Sequence, residues 1–176
     1  MNAQLHEDAG SWTRIALVTV PLIWFLGSAS GWLSGSGYGN DWFDALAKPA
    51  FMPPGWMFGV AWTILYILLG FAVALILAES SDMPRRRGAL ILFFTQLALN
   101  YAWSPIFFAG HDITLAKFTI YLMAALAAAA AGQFYRIRPL AGLLMLPYLA
   151  WLIFAATLTA AIEDLNPGAG QSLLGI

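Results

Sequence analysis

Gly55-Trp-Met-Phe-Gly-Val-Ala-Trp-Thr-Ile-Leu-Tyr-Ile-Leu-Leu-Gly-Phe-Ala-Val-Ala-Leu-Ile-Leu77 runs without a charged side chain or an amide. A helix needs about 20 mostly apolar residues to cross a bilayer, and this run exceeds that length. Pro54 stands just before it, where a missing N–H costs a new helix nothing. Working outward, residues 12–33, 88–108, 113–135 and 140–162 have the same character. None carries an acidic residue in its middle, and Lys117 lies near an end where its ammonium can snorkel to the interface. The expected fold is an all-α integral membrane protein, a five-transmembrane-helix bundle. Residues 1–11 are read as an N-terminal tail, 12–162 as the membrane domain and 163–176 as a C-terminal tail. The connections after the second, third and fourth spans are short, so the helices they join run antiparallel. The first, residues 34–54, is long enough to fold over one end of the bundle as a lid.

Composition agrees. Hydrophobic residues make up 61% of the 176 positions and charged residues only 10%, against about 25% charged in an average soluble domain. A formal net charge of −1 argues against nucleic acid as a partner, since phosphate binding needs clustered Lys and Arg. The chain contains no cysteine, which removes disulfides, thiolate catalysis and Cys-ligated metals. Before the first span Glu7 and Asp8 occur without Lys or Arg, and Arg14 is the only candidate for the positive region of a secretory signal. The small residues from Gly27 to Gly31 imitate a cleavage site, but apolar character continues to Leu33, so a retained first helix is expected.

The basic residues sort between the two membrane faces. Arg14, the Arg85-Arg86-Arg87 run, Arg136 and Arg138 fall on the face of the N-terminus; Lys48 and Lys117 fall on the other. In a plasma membrane the positive-inside bias would make the N-terminus cytoplasmic and turn the first loop outward. Which membrane holds the chain is left open. Pro21, Pro105 and Pro147 fall inside spans, where each frees a backbone carbonyl and is expected to kink its helix. Gly27 and Gly31 form a GxxxG pattern and Ala124 to Ala131 make the fourth span smooth, features that suit close helix approach within one chain or between two copies.

The usual catalytic constellations are missing. His6 and His111 stand alone, no metal site is expected, and no chain of intramembrane acids and bases suggests a pump or channel. What the spans do carry is aromatic rings at helical spacing. Phe58, Trp62, Tyr66 and Leu69 form one stripe; Gln96, Asn100, Trp103 and Phe107 a second; Tyr148, Trp151, Ala155 and Leu158 a third. Gln96 and Asn100 are too polar for lipid tails, so the second stripe should face the bundle interior. If the others do likewise, the three enclose a cavity with flat aromatic walls. Core packing explains the same spacing and remains the alternative. Trp12, Trp24, Trp32 and Trp56 read as interfacial anchors.

Three segments carry a resemblance. The run from Trp42 through Lys48-Pro49 and Pro53-Pro54 to Trp62-Thr-Ile-Leu-Tyr66 resembles the signature of the TspO/translocator-protein (TspO/MBR) family. So do Gln96-Leu-Ala-Leu-Asn100-Tyr-Ala-Trp103-Ser-Pro105-Ile-Phe-Phe108 and Pro147-Tyr148-Leu-Ala-Trp151 with Phe154 and Leu158. The resemblance implies a five-helix bundle, usually a homodimer in the lipid bilayer, that binds porphyrins such as protoporphyrin IX or haem in a pocket toward the first loop. It implies no required cofactor. Family pocket positions fall here on Phe58, Gly59, Trp62, Asn100, Trp103, Trp151, Ala155 and Leu158, and Lys48 in the lid is the candidate partner for ligand carboxylates. The tryptophans tied in bacterial members to light-dependent porphyrin breakdown correspond to Trp62 and Trp151. Two departures stand out. Thr159 follows Leu158 where relatives commonly have Asn, and the fifth span lacks a Tyr followed by Lys or Arg, so the C-terminal cholesterol-recognition pattern is absent. A reversed pattern, Lys117, Tyr121 and Leu126, is a weak match. The primary expectation is a membrane receptor or sensor for porphyrins, used in tetrapyrrole transport or regulation. A light-dependent porphyrin-degrading enzyme and a scaffolding protein with purely packing aromatics are the alternatives.

Overall fold

The computed structural model describes residues 2–170, with side chains from residue 11 onward. The His6 reading concerns a side chain outside the described set. Seven α-helices follow in order: α1 (Asn2–Leu33), α2 (Asp41–Ala45), α3 (Gly55–Leu77), α4 (Pro84–Ser104), α5 (Ile113–Ile137), α6 (Pro139–Leu144) and α7 (Leu146–Leu165). A π-helical turn, Pro105–Ala109, extends α4. Five segments are long and apolar enough to span a membrane: Ser11–Leu33, Gly55–Leu77, Pro84–Ala109, Ile113–Ile137 and Pro139–Leu165. The chain is therefore an all-α, multi-pass integral membrane protein. Helix α1 continues N-terminally through the stretch read as a tail.

The prolines act differently at their several sites. Pro105 opens the π-helical turn, in which the Gly110 N–H reaches back to the Pro105 carbonyl at 2.8 Å. The fifth span, expected as one helix kinked at Pro147, is two: Pro147 cannot donate to the Leu143 carbonyl, and Met145 interrupts the helix as a single turn residue between α6 and α7. Pro139 sits in the first turn of α6. Pro21 is accommodated inside α1.

With no hydrophobic drive between helices in lipid, contact depends on small residues and close fit. Helix α1 lies along α3, α4 along α5, and α5 also packs on α6 and α7. At Gly70 a Cβ would sit 2.6 Å from the Val20 Cα, so only glycine permits the approach, and Thr19 Oγ1 donates to the Gly70 carbonyl at 2.9 Å. At Gly27 a Cβ would collide with the Tyr66 ring. Of the two readings of the GxxxG pattern, Gly27 thus serves packing within the chain. The half of the bundle toward the arginine face is solid: Leu69, Val73 and Ile76 of α3 meet Phe93 of α4, Met123, Ala127 and Phe134 of α5, and Met145 and Leu152 of the fifth span. Phe93 and Phe134 stack with centroids 5.3 Å apart.

That face is also tied by its cations. Arg86 donates from Nε to the Ile76 carbonyl and from Nη2 to the Leu77 carbonyl, both at 3.1 Å, adding side-chain donors to carbonyls of the last turn of α3. Arg138 pairs with Glu79 at 3.3 Å. At the opposite face Lys117 and Thr114 of α5 both donate to Glu163 of α7, and Asp112 caps α5 by accepting from Leu115 N–H at 2.8 Å. One anchor reading is corrected. Trp24 lies near the middle of the span Ser11–Leu33 rather than at its end, half exposed, with its Nε1 3.4 Å from Thr63 Oγ1.

Candidate functional site: an aromatic cavity beneath the lid

Toward the lid the helices part around a cavity of about 680 Å³. The spacing that produced the three stripes turns them all inward. Phe58, Gly59, Trp62 and Tyr66 come from α3; Asn100, Trp103 and Phe107 from α4 and the π-helical turn; Trp151, Ala155 and Leu158 from α7. The π-helical turn sets Phe107 and Phe108 side by side on the cavity wall, with Trp103 stacked on Phe107 at 5.0 Å. Trp103 Nε1 donates to the Ala116 carbonyl at 3.1 Å, which fixes its ring plane. Across from it Trp62 and Trp151 meet edge to face, centroids 6.3 Å apart, and Phe58 meets Trp151 in the same way at 6.0 Å.

The floor is a chain of hydrogen bonds. Tyr66 Oη donates to Asn100 Oδ1 at 2.9 Å, Asn100 Nδ2 donates to Tyr148 Oη at 3.3 Å, and Tyr148 Oη donates to Gln96 Oε1 at 2.8 Å. Buried polar groups need such partners. Gln96 Nε2 has none, and Gln133 Oε1 is the other such buried side-chain atom among the described residues. Thr159, one of the departures from the family pattern, returns its hydroxyl to the Ala155 carbonyl at 2.9 Å and so adds no free donor to the wall.

The roof is the first loop. Asn40 Oδ1 accepts from Phe43 N–H at 3.0 Å and starts α2, as an Asn at the N-cap does. Phe43 then packs into a cluster with Phe107, Phe108, Leu158 and Ile162, while Tyr38, Phe43 and Met52 face the cavity. The loop is clasped to the end of α7. Ala47 N–H donates to Asn166 Oδ1 at 2.8 Å and Asn166 Nδ2 donates back to the Ala47 carbonyl at 2.9 Å. Trp42 Nε1 donates to the Ala169 carbonyl at 3.2 Å, and its ring stacks on His111 at 4.4 Å. That stacking is the role the structure gives His111, and no cluster of metal-binding side chains occurs among the described residues.

Eight of the nine site residues expected from sequence line the cavity: Phe58, Gly59, Trp62, Asn100, Trp103, Trp151, Ala155 and Leu158. Lys48 does not. Its ammonium turns back on α2, donating to the carbonyls of Phe43 (2.7 Å), Asp44 (3.2 Å) and Leu46 (3.2 Å), and lies 4.7 Å from the Phe43 ring centroid. All three of its donors are engaged by carbonyls at the end of a short helix, where a cation is favoured. No Asp, Glu, Lys, Arg or His side chain lines the cavity among the described residues. Sequence reasoning missed the wall that α1 supplies, Gly27, Ser28, Gly31 and Trp32, and missed Trp56, which borders the cavity although it is largely exposed. The GxxxG pattern was the available signal for α1.

Residues 17–165 match the TspO/MBR family. The translocator protein of Homo sapiens is 37% identical over 133 residues, covering 75% of this chain and 79% of that protein. Protein CrtK of Rhodobacter capsulatus is 30% identical over 152 residues, covering 86% and 95%. The tryptophan-rich protein TspO of Archaeoglobus fulgidus is 38% identical over 127 residues, covering 72% and 81%. With five spans, the lid and its motif residues in the expected order, this chain belongs to the TspO/MBR family.

Proposed function

We propose that the protein is a membrane receptor for a porphyrin, taken up in the cavity beneath the lid. The observation that carries this reading is the wall itself. Three indoles, Trp62, Trp103 and Trp151, surround an uncharged space of about 680 Å³, and ligand sites of this kind are concave, apolar and sparsely polar. A porphyrin is a flat apolar macrocycle that gains from aromatic faces. Its two propionates have no cation waiting inside, since Lys48 is engaged elsewhere, so they remain at the mouth in water. Titration of purified protein with protoporphyrin IX tests the reading. A saturable Soret shift at one ligand per chain, with indole fluorescence quenched, is the expected result. Neither shift nor quenching would leave the aromatics as packing only.

The edge-to-face contact of Trp62 with Trp151 favours a second reading, light-dependent porphyrin breakdown. Indoles are oxidisable, and two in contact can pass an oxidising equivalent away from a photoexcited ring. Under this reading illumination consumes bound protoporphyrin faster than free pigment. Trp62→Phe and Trp151→Phe then lose turnover while binding weakens by only about 1 kcal/mol, the area term of the smaller ring. Equal loss of pigment in wild type and variants refutes it.

Two further expectations belong to the same proposal. The protein forms a homodimer, and the exposed small residues of α5, Ala125, Ala128, Ala129 and Gly132, support close approach of a second copy; cross-linking in membranes checks it. In a plasma membrane the Arg85–Arg87 end is cytoplasmic. Impermeant labelling of single introduced cysteines reads this cleanly, because the chain has none of its own.

A further inference from the structure

Residues 35–39 of the lid read Gly-Ser-Gly-Tyr-Gly, and the three glycines hold left-handed backbone, with φ of 62°, 102° and 95°. Glycine adopts that conformation at no steric cost, so this stretch of the lid projects two side chains only, Ser36 and Tyr38. Both line the cavity. Ser36 N–H donates to the Gly31 carbonyl at 3.0 Å, which folds the segment back on the end of α1. The cavity reaches the surface where this segment meets the end of α1 and the start of α3: Trp32, Tyr38 and Trp56 border it and are 82%, 51% and 67% exposed. The Tyr38 ring is held there. It lies against Gly55, where a Cβ would sit 2.8 Å from it, and meets Phe43 edge to face with centroids 5.6 Å apart. Its hydroxyl bonds to no described residue. The same is true of the hydroxyls of Ser36 and of Ser28, which lines the cavity from α1.

We propose that Tyr38 and Ser36 form a carboxylate subsite at this mouth, so that the protein reads one acid group of a planar apolar ligand whose ring lies among the indoles. The inference rests on the porphyrin reading and names the part of that ligand the lid recognises. An ionised carboxylate only accepts hydrogen bonds, and hydroxyls can donate to it. Such bonds are charge-assisted and stronger than those to a neutral acceptor, so an ester in the same place is held less tightly. The phenol ring is already fixed against Gly55 and Phe43, so little side-chain freedom is lost when a ligand engages it. Lys48 takes no part, because its donors are on the carbonyls of Phe43, Asp44 and Leu46.

Titration of the full chain in detergent with protoporphyrin IX and with its dimethyl ester tests the subsite, since the two share one macrocycle. The readout is the ratio of the two affinities, taken from the Soret shift and indole quenching. Comparing that ratio between variants cancels the different partitioning of the two compounds into detergent. Y38F keeps the ring on Gly55 and loses only the hydroxyl, and should lower the preference for the diacid about fivefold. S36A should lower it about two- to threefold. Y135F removes the hydroxyl of an exposed tyrosine that does not line the cavity, and should keep the wild-type ratio. Added salt should leave the ratio unchanged, because neither donor carries a charge. Thermal melting verifies that the variants fold. Y38F with the wild-type ratio, or Y135F losing as much as Y38F, overturns the subsite and leaves the porphyrin reading standing. A preference that collapses in salt gives the carboxylate to a cation and also overturns it. A wild type that binds neither compound refutes the porphyrin reading itself, and the subsite with it.

Discussion

Asn166→Ala removes the clasp between the lid and α7 and touches the membrane bundle only at the last turn of α7. The wild-type side chain accepts from Ala47 N–H at 2.8 Å and donates to the Ala47 carbonyl at 2.9 Å, while also donating to the Ile162 carbonyl at 2.7 Å. Each intramolecular hydrogen bond contributes roughly 0.5–1.5 kcal/mol net, and Ala47 is exposed enough for water to take over, which favours the low end. Loss of the two lid bonds should therefore cost about 1–2 kcal/mol, a five- to thirtyfold rise in the open population of the lid. Phe43 and the Trp42–Ala169 bond still hold the roof, so the loop loosens without unfolding. Amide hydrogen exchange reads the effect directly: the N–H groups of Phe43, Asp44, Leu46 and Ala47 should exchange faster by that factor. Those of α3 and α5 should not change. Asn166→Asp keeps the acceptor and loses the donor, and should fall between the two. Lid amides that exchange at the wild-type rate in Asn166→Ala would refute the clasp as a determinant of lid closure.

Gly27→Val places methyl groups where the Tyr66 ring now sits, and the displacement should cost about 1–3 kcal/mol; an unchanged melting temperature would show that α1 and α3 do not rely on this contact. Tyr148→Phe leaves Asn100 Nδ2 and Gln96 Oε1 without their partner inside the bundle, a loss on the order of 2–4 kcal/mol in denaturant or thermal unfolding. Tyr66→Phe removes one donor from the end of the same chain and should cost about 1 kcal/mol. Lys48→Met frees three carbonyls at the end of α2 and should speed lid exchange. It should also leave the salt dependence of porphyrin affinity as in wild type, which a direct ammonium–carboxylate contact would not.

The bundle was legible because hydropathy and the 3.6-residue period are strong signals, and the third span carries its two amides on one face. Gln96 and Asn100 had to face inward, and they do. What escaped reading depended on local backbone chemistry. The break at Met145 arises from a proline two positions later, and a proline predicts a disturbance without its form. Lys48 was placed at the cavity because a lone cation in a lid suggests a ligand. Its position close behind a short helix, with carbonyls in reach, favoured capping instead. The α1 wall was hidden because Gly27, Ser28 and Gly31 announce space rather than side chains. Trp24 was read by residue type rather than position: it lies near the middle of the expected span, residues 12–33, as it does of the observed one, Ser11–Leu33.

The uncharged lining has an electrical consequence. Moving one elementary charge through the whole transmembrane field costs about 2.3 kcal/mol per 100 mV. Cavity walls without formal charge carry no gating charge, so rearrangements among Trp62, Trp103 and Trp151 do no work against that field. Voltage can act on occupancy only through the charges a ligand brings. Toward the lid, Lys117 and Glu163 neutralise one another across α5 and α7. A neutral ligand would therefore bind with the same affinity in energised and de-energised membranes. A dianionic one would feel the potential only in proportion to how far its carboxylates follow the ring inward, so the voltage dependence of binding measures ligand depth without any label.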